Sequence, residues 1–255
     1  MAIFTTEAIV LKQFNLGEAD QIITFYTKEK GKVRAVASNV RKTKNRMSGL
    51  LQPFSYNNMK FYRGNSLDRI NQISNRYSFS ELREELSLMA YATYIAEIVE
   101  KVGMEDDAQP DLFSLLLSTF HKMTEIPTDE LDYLNLCFKL RMLAVIGFKP
   151  EINSCVFCES SLETAVSNNF NISRGGISCR DCYSKDDGHE YFQLTGEEIK
   201  VIAKIYNSGL KLPENLRISR KGLQDLETFV DKFMKYHLDI FLKSEDFLYM
   251  IRDLG

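Results

Sequence analysis

The chain has 255 residues, 44% apolar and 26% charged, which excludes collagen-like and disordered composition and supplies a core that needs no covalent staples. No uninterrupted apolar run approaches the length of a membrane span, and Met1 to Glu7 shows no basic region ahead of an apolar stretch, so a cytoplasmic protein without a cleaved segment or a membrane partner is expected. The net charge of −3 conceals an asymmetry: residues 1–80 carry 13 Lys and Arg against 5 Asp and Glu, whereas residues 81–255 carry 19 against 30. A basic segment of this size suits a polyanionic partner, because neutralising phosphates releases condensed counterions.

Up to about residue 80 the periodicity is that of strands. Phe4 to Lys12 is rich in β-branched and apolar residues, and Gln21 to Thr27 continues that character. Gly31 to Ala37 alternates Lys32, Arg34 and Val36 against Val33, Ala35 and Ala37. Phe54 to Tyr62 and Asp68 to Tyr77 complete five predicted strands. Turn-forming residues separate them at Asn15 to Gly17, Lys28 to Gly31 and Arg63 to Ser66. Five short strands in this length suggest a barrel of the OB type, although an SH3-like barrel or a small sandwich gives much the same pattern.

Ser78 and Glu81 read as a capping box opening a helix through about Lys101. Asp111 to Met123 and Asp129 to Ile146 are apolar at helical spacing, and the breakers Asp106 to Pro110 and Ile126 to Thr128 bound them. Thr195 and Glu198 form a second capping box. Lys221 to Lys243 places Leu223, Leu226, Val230, Phe233, His237 and Ile240 on one stripe. The predicted architecture is a multi-domain α+β chain: an OB-fold β-barrel at 1–80, then an all-α helical domain at 81–255 carrying an inserted cysteine module at about 151–192.

Within that module, Cys155-Val-Phe-Cys158 and Cys179-Arg-Asp-Cys182 are two C-x-x-C pairs separated by 20 residues, a spacing found in zinc sites. Each pair offers two thiolates from one tight turn. Disulfides are disfavoured in a reducing compartment, and a thioredoxin-like role needs a βαβ setting that is missing. The expectation is one structural Zn²⁺ held by Cys155, Cys158, Cys179 and Cys182, because four thiolates leave no open position for an activated water. His189 can replace a ligand but reads as a surface residue, and Cys137 reads as a small buried hydrophobe.

Catalytic signatures are sparse. None of the 13 glycines forms a phosphate-cradling loop, and neither G-x-S-x-G nor H-E-x-x-H occurs. The acidic clusters at Glu84 to Glu85, Glu105 to Asp107 and Asp186 to Asp187 read as solvated faces. No enzymatic activity is expected.

The basic segment is more informative. From Gly31 to Arg46 there are six cations, Lys32, Arg34, Arg41, Lys42, Lys44 and Arg46, and no carboxylate. Strand geometry turns Lys32 and Arg34 away from the barrel interior, and Arg41 to Arg46 reads as a basic loop. In the following strand Lys60 and Tyr62 share the outer face. Cations along a backbone path, with rings on which bases can stack, are what a sequence-tolerant single-strand site requires.

At this point the residues carry a resemblance. Glu7 to Lys12, Gly17 to Asp20, Tyr26 to Arg34 and the basic stretch leading to Leu50 to Phe54 resemble the start of the RecO recombination-mediator family. Gly147 to Pro150 before the cysteines, and Tyr236 to Ser244 beyond them, are similar to the same family further along. The resemblance implies a non-enzymatic bacterial DNA repair protein of the RecF pathway, associated with the nucleoid during repair. It implies binding of single- and double-stranded DNA, annealing of complementary strands, and action with RecR to load RecA onto DNA coated by single-stranded DNA-binding protein. It also implies that the helical body recognises that protein's acidic C-terminal tail, for which Lys139 and Arg141 are the candidate contacts. The alternative is a protein-interaction scaffold in which DNA binding is secondary.

Overall fold

The computed structural model describes residues 2–42, 47–162, 168–185, 190–208 and 218–253. In chain order these form β1 (Ile3–Leu16), β2 (Asp20–Thr27), β3 (Gly31–Ala37), α1 (Met47–Leu50), β4 (Tyr56–Tyr62), β5 (Asp68–Tyr77), α2 (Glu81–Glu84), α3 (Leu86–Val102), α4 (Pro110–Met123), α5 (Leu131–Val145), β6 (Asn169–Asn171), β7 (Gly176–Ile177), α6 (Arg180–Tyr183), β8 (Tyr191–Gln193), α7 (Gly196–Ser208), α8 (Arg220–Leu238) and α9 (Ser244–Arg252). They make two compact units, residues 1–131 with 242–255, and residues 132–241. Among the described residues no helix is long and apolar enough to cross a membrane.

In the first unit, β1 to β5 close into a barrel of order β1-β2-β3-β5-β4. All neighbouring pairs are antiparallel except β3 with β5, a short parallel junction of Ala35 with Asp68 and Val36 with Arg69. This is the OB-like barrel the strand pattern predicts. Alternation fills it: Ala8 and Val10, Ile23 and Phe25, Val33, Ala35 and Ala37, and Met59 and Phe61 point inward and form one buried cluster. Gly31 opens β3 at φ 62° against the backbone carbonyls of Met104 and Asp107, where a Cβ atom would collide. Only glycine meets both conditions there.

The predicted continuous helix from Ser78 is two helices. Neither Ser78 nor Ser80 provides a side-chain cap for α2. Glu85 is extended, and its carboxylate accepts from the Ser87 and Leu88 N–H groups, so it ends α2 and caps α3 in one step. α3 packs against the outer side of β1 and β2, and Gly103 lies against the Tyr26 ring. α9 returns to this unit along α3, where the Arg252 Nε donates to the Tyr91 hydroxyl.

The second unit contains α5, the three-stranded sheet β7-β6-β8, α7 and α8. The capping box that opens α7 is reciprocal: Thr195 N–H donates to Glu198 at 2.7 Å and Glu198 N–H to the Thr195 hydroxyl at 3.2 Å. α8 buries Leu226, Phe229, Val230, Phe233 and Met234. It stops at Leu238 rather than Lys243, because Asp239 adopts the left-handed conformation at φ 47°, leaving Ile240 beyond the helix.

Candidate functional site

With α3 over β1 and β2, β5 is exposed along most of its length, and it lies between β3 and β4, whose outward Lys60 and Tyr62 are half-buried. Arg34 projects from β3 and is exposed, as the alternation predicts. Arg69 is exposed on β5 between two neighbours in register, Val36 on β3 and Tyr62 on β4. Lys60 pairs with Gln72 in the next outward row, and Arg76 donates from Nε to the Asn58 side chain at 3.0 Å. Arg34, Arg69, Lys60 and Arg76 thus join Tyr62 on one wall. Sequence reasoning missed Arg69 and Arg76, although the apolar positions Ile70 and Ile73 around them carried the signal.

The loop after β3 brings further cations to the end of the barrel. Arg41 is exposed, yet its backbone N–H donates to Ala19 and its guanidinium to the Gly17 carbonyl at 2.9 Å, which ties it to the β1–β2 turn. Lys42 follows and is exposed. Lys44 and Arg46 lie outside the described residues. Lys32 has a different setting: its ammonium donates to the Glu100 carbonyl in the last turn of α3 at 2.9 Å, where a cation complements the helix dipole. Lys32 is therefore half-buried and engaged, whereas Arg34 two residues later is open. A small polar cleft of about 180 Å³ beside Lys32 and Arg34 also contains Asp68, Glu105 and Asp106. Arg63 on its rim is paired with Asp106 and lies 3.8 Å from Asp68.

The four predicted metal ligands meet. The Sγ atoms of Cys155, Cys158, Cys179 and Cys182 all lie within 4.8 Å of one another, with Cys158 to Cys179 at 3.8 Å. A tetrahedral ion with bonds of about 2.3 Å sets sulfur–sulfur edges of about 3.8 Å, so the cluster fits such an ion. Backbone geometry supports it: Cys179 N–H donates to Cys155 Sγ at 3.2 Å, and Cys182 N–H points to Cys179 Sγ at 3.5 Å. All four are free thiols, so neither pair is a disulfide.

Their acidities diverge as close thiols must. The Ser160 hydroxyl and backbone N–H pull Cys158 down to about 6. Burial pushes Cys155 up, but N–H donors of Cys179, Cys158 and Phe157 outweigh it and leave it below the usual thiol range. Cys182 is pushed up to about 12, first by its hydrogen bond with Cys179 and then by burial. Four thiolates cannot coexist here without a compensating cation, and metal binding supplies that charge while releasing the protons. The described residues thus form a group able to hold a metal ion, and four sulfurs would fill every position of a tetrahedral one. His189 and the pair Asp186 and Asp187 fall outside the described residues.

Cys137 is the buried small hydrophobe anticipated, its thiol pushed up to about 12 by burial. Lys139 and Arg141, the candidate tail contacts, are both engaged within the second unit. Lys139 is 1% exposed, with its ammonium 2.6 Å from Asp231 on α8. Arg141 donates to the Ile205 carbonyl at 2.5 Å. Removal of an ammonium from water requires such a partner, and the sequence distance of 92 residues hides it.

Two family models match the chain: Recombination protein O N terminal over residues 1–79 and Recombination protein O C terminal over residues 83–246. The chain is 31% identical over 236 residues to a DNA repair protein RecO of Dehalococcoides mccartyi, covering 92% of this chain and 91% of that protein. Similar proteins of the same name from Halalkalibacterium halodurans and Symbiobacterium thermophilum are each 30% identical, covering 98% and 99% of this chain and 95% and 99% of theirs.

Proposed function

The chain belongs to the RecO family of DNA repair and recombination proteins, and from that premise we propose that its barrel grips single- and double-stranded DNA electrostatically, without chemical turnover. The observation that carries this reading is the cationic outer wall of β3, β5 and β4. Arg34, Lys60, Arg69 and Arg76 supply positive charge, Tyr62 supplies a ring, and Arg41 and Lys42 extend the track at the end of the barrel. Lys44 and Arg46 complete the set by sequence, and Lys32 adds its charge from beside α3.

Such a surface neutralises the mutual repulsion of two phosphate backbones while leaving base edges free to pair, which is what annealing of complementary strands demands. The same reading has the protein act with RecR to load RecA onto DNA coated by single-stranded DNA-binding protein in the bacterial cytoplasm and nucleoid. Contact with that protein's acidic C-terminal tail falls to the second unit. If Lys139 takes part, the tail carboxylate must compete with Asp231. In the cysteine cluster the proposed ion is one Zn²⁺, which suits an all-sulfur tetrahedral donor set and supplies folding energy rather than reactivity.

Fluorescence anisotropy of labelled single-stranded DNA across a salt series tests this. The parent should lose affinity steeply with salt, and each phosphate contact removed by Arg34→Glu, Arg41→Glu or Arg69→Glu should flatten the log–log slope by about 0.7. Unchanged affinity and slope in the triple variant would overturn the assignment of the surface.

A further inference from the structure

We infer that Phe14, near the tip of the β1–β2 hairpin, is a stacking platform for an unpaired nucleobase of single-stranded DNA. The inference rests on the DNA reading above and adds base contact to an interface otherwise described through phosphates. Beyond Ile9, β1 leaves β4 and continues paired with β2, so Phe14 stands opposite Ile22 on a projecting ribbon. The ring is 55% exposed, above Ile3, Leu16 and Tyr77, the other exposed large apolar side chains on the described barrel strands.

Its position is fixed from one side. Lys12, two residues earlier on the same face, places its ammonium 5.1 Å from the ring centroid. That ammonium is anchored to the Glu100 carboxylate at 2.7 Å, so α3 holds Lys12 and Lys12 backs the ring. A cation over the ring is an attractive contact and lowers the freedom lost when a base arrives on the exposed side. Leu16, exposed on the same ribbon, extends the apolar surface by one position.

Charge complementarity selects the occupant. Arg41 is bound through both its backbone and its guanidinium to the turn that closes this ribbon, and Lys42 follows it. A backbone-tracking cation pair at the turn beside an oriented ring matches a strand whose phosphates and bases are both accessible. Duplex bases are already stacked on one another and offer the ring no free face. Phe14 should therefore contribute to single-strand affinity and not to duplex affinity.

The chain contains no tryptophan, so Phe14→Trp places one indole at the position in question. Titrating this variant with oligo(dT) should quench its emission, whereas a duplex of equal length should not. In parallel, Phe14→Ala should weaken oligo(dT) binding about five-fold or more, with Phe14→Tyr close to the parent and duplex affinity unchanged. Binding by anisotropy with no change in indole emission overturns the inference and leaves the cationic surface standing. Equal losses on single strand and duplex, or no loss on either, also overturn it and point to protein docking at the ring. A parent that binds no DNA at any salt concentration overturns the underlying reading and the platform together.

Discussion

Glu97 shows how far a single side chain can reach in this fold. Its carboxylate accepts from Lys243 N–H at 3.1 Å, from Ser244 N–H at 2.8 Å and from the Ser244 hydroxyl at 2.5 Å, and so holds the entry to α9 from the middle of α3. Burial pushes this carboxyl up, but the Ser244 and Lys243 donors outweigh it and set it below the ordinary carboxylate value. A lowered folded-state pKa contributes stability above the unfolded-state pKa and loses it as pH falls through the folded one. Glu97→Ala should therefore cost about 1 kcal/mol at neutral pH, after allowance for solvent screening. Urea titrations should show the parent and the variant converging as pH drops below the usual carboxylate range. A gap that stays constant or widens in acid would contradict this role. The sequence could not disclose the contact, since donor and acceptor lie 147 residues apart. Lys139 with Asp231 escaped for the same reason, whereas Thr195 with Glu198 was legible because three residues separate them.

At the scale of elements, what the chain announces locally is what could be read. All five strands were legible because strand character is local, a β-branched and apolar composition in β1 and β2 and an apolar–polar alternation in β3 and β4, and both C-x-x-C turns were legible because ligand spacing within a knuckle is local. The split between α2 and α3 was not, because Glu85 serves as a cap only once the backbone has turned extended there. In the cysteine module β6, β7 and β8 are only three, two and three residues long. Such short strands are marginal without a covalent or metal crosslink. Chelation should therefore release one ion per chain and strip hydrogen-exchange protection from residues 151–162 and 168–185, with β1 to β5 still protected. Elemental analysis beside exchange mass spectrometry reads both, and Cys182→Ser should reproduce the effect. Protection that survives complete metal removal would show that the sheet stands alone.

For the whole molecule, the chain leaves its first compact unit at residue 131 and re-enters it at 242, so the second unit is an insertion into the first. Periodicity marks helices and strands but contains no information about which distant segments share a core, and this nesting was accordingly not legible. Among helices of the first unit, α9 packs along α3 and contributes Leu248 and Ile251 as buried residues. A chain stopped after Phe241 should expose that apolar side of α3, leave Glu97 without its donors and lower the thermal midpoint of the barrel unit by several degrees. Circular dichroism melts of the two chains measure this, and identical midpoints would show that α9 is dispensable. The net positive charge of residues 1–80 and the net negative charge of the remainder predict a further asymmetry, since salt should weaken DNA binding far more than it alters those melts.

The return of α9 also orders events at the ribosome. The barrel strands emerge first, yet their unit waits for residues 244–252, which are translated only after more than a hundred intervening ones. During that interval α3 offers an uncovered apolar strip to the crowded cell. A pause in translation before codon 244 would prolong that exposure.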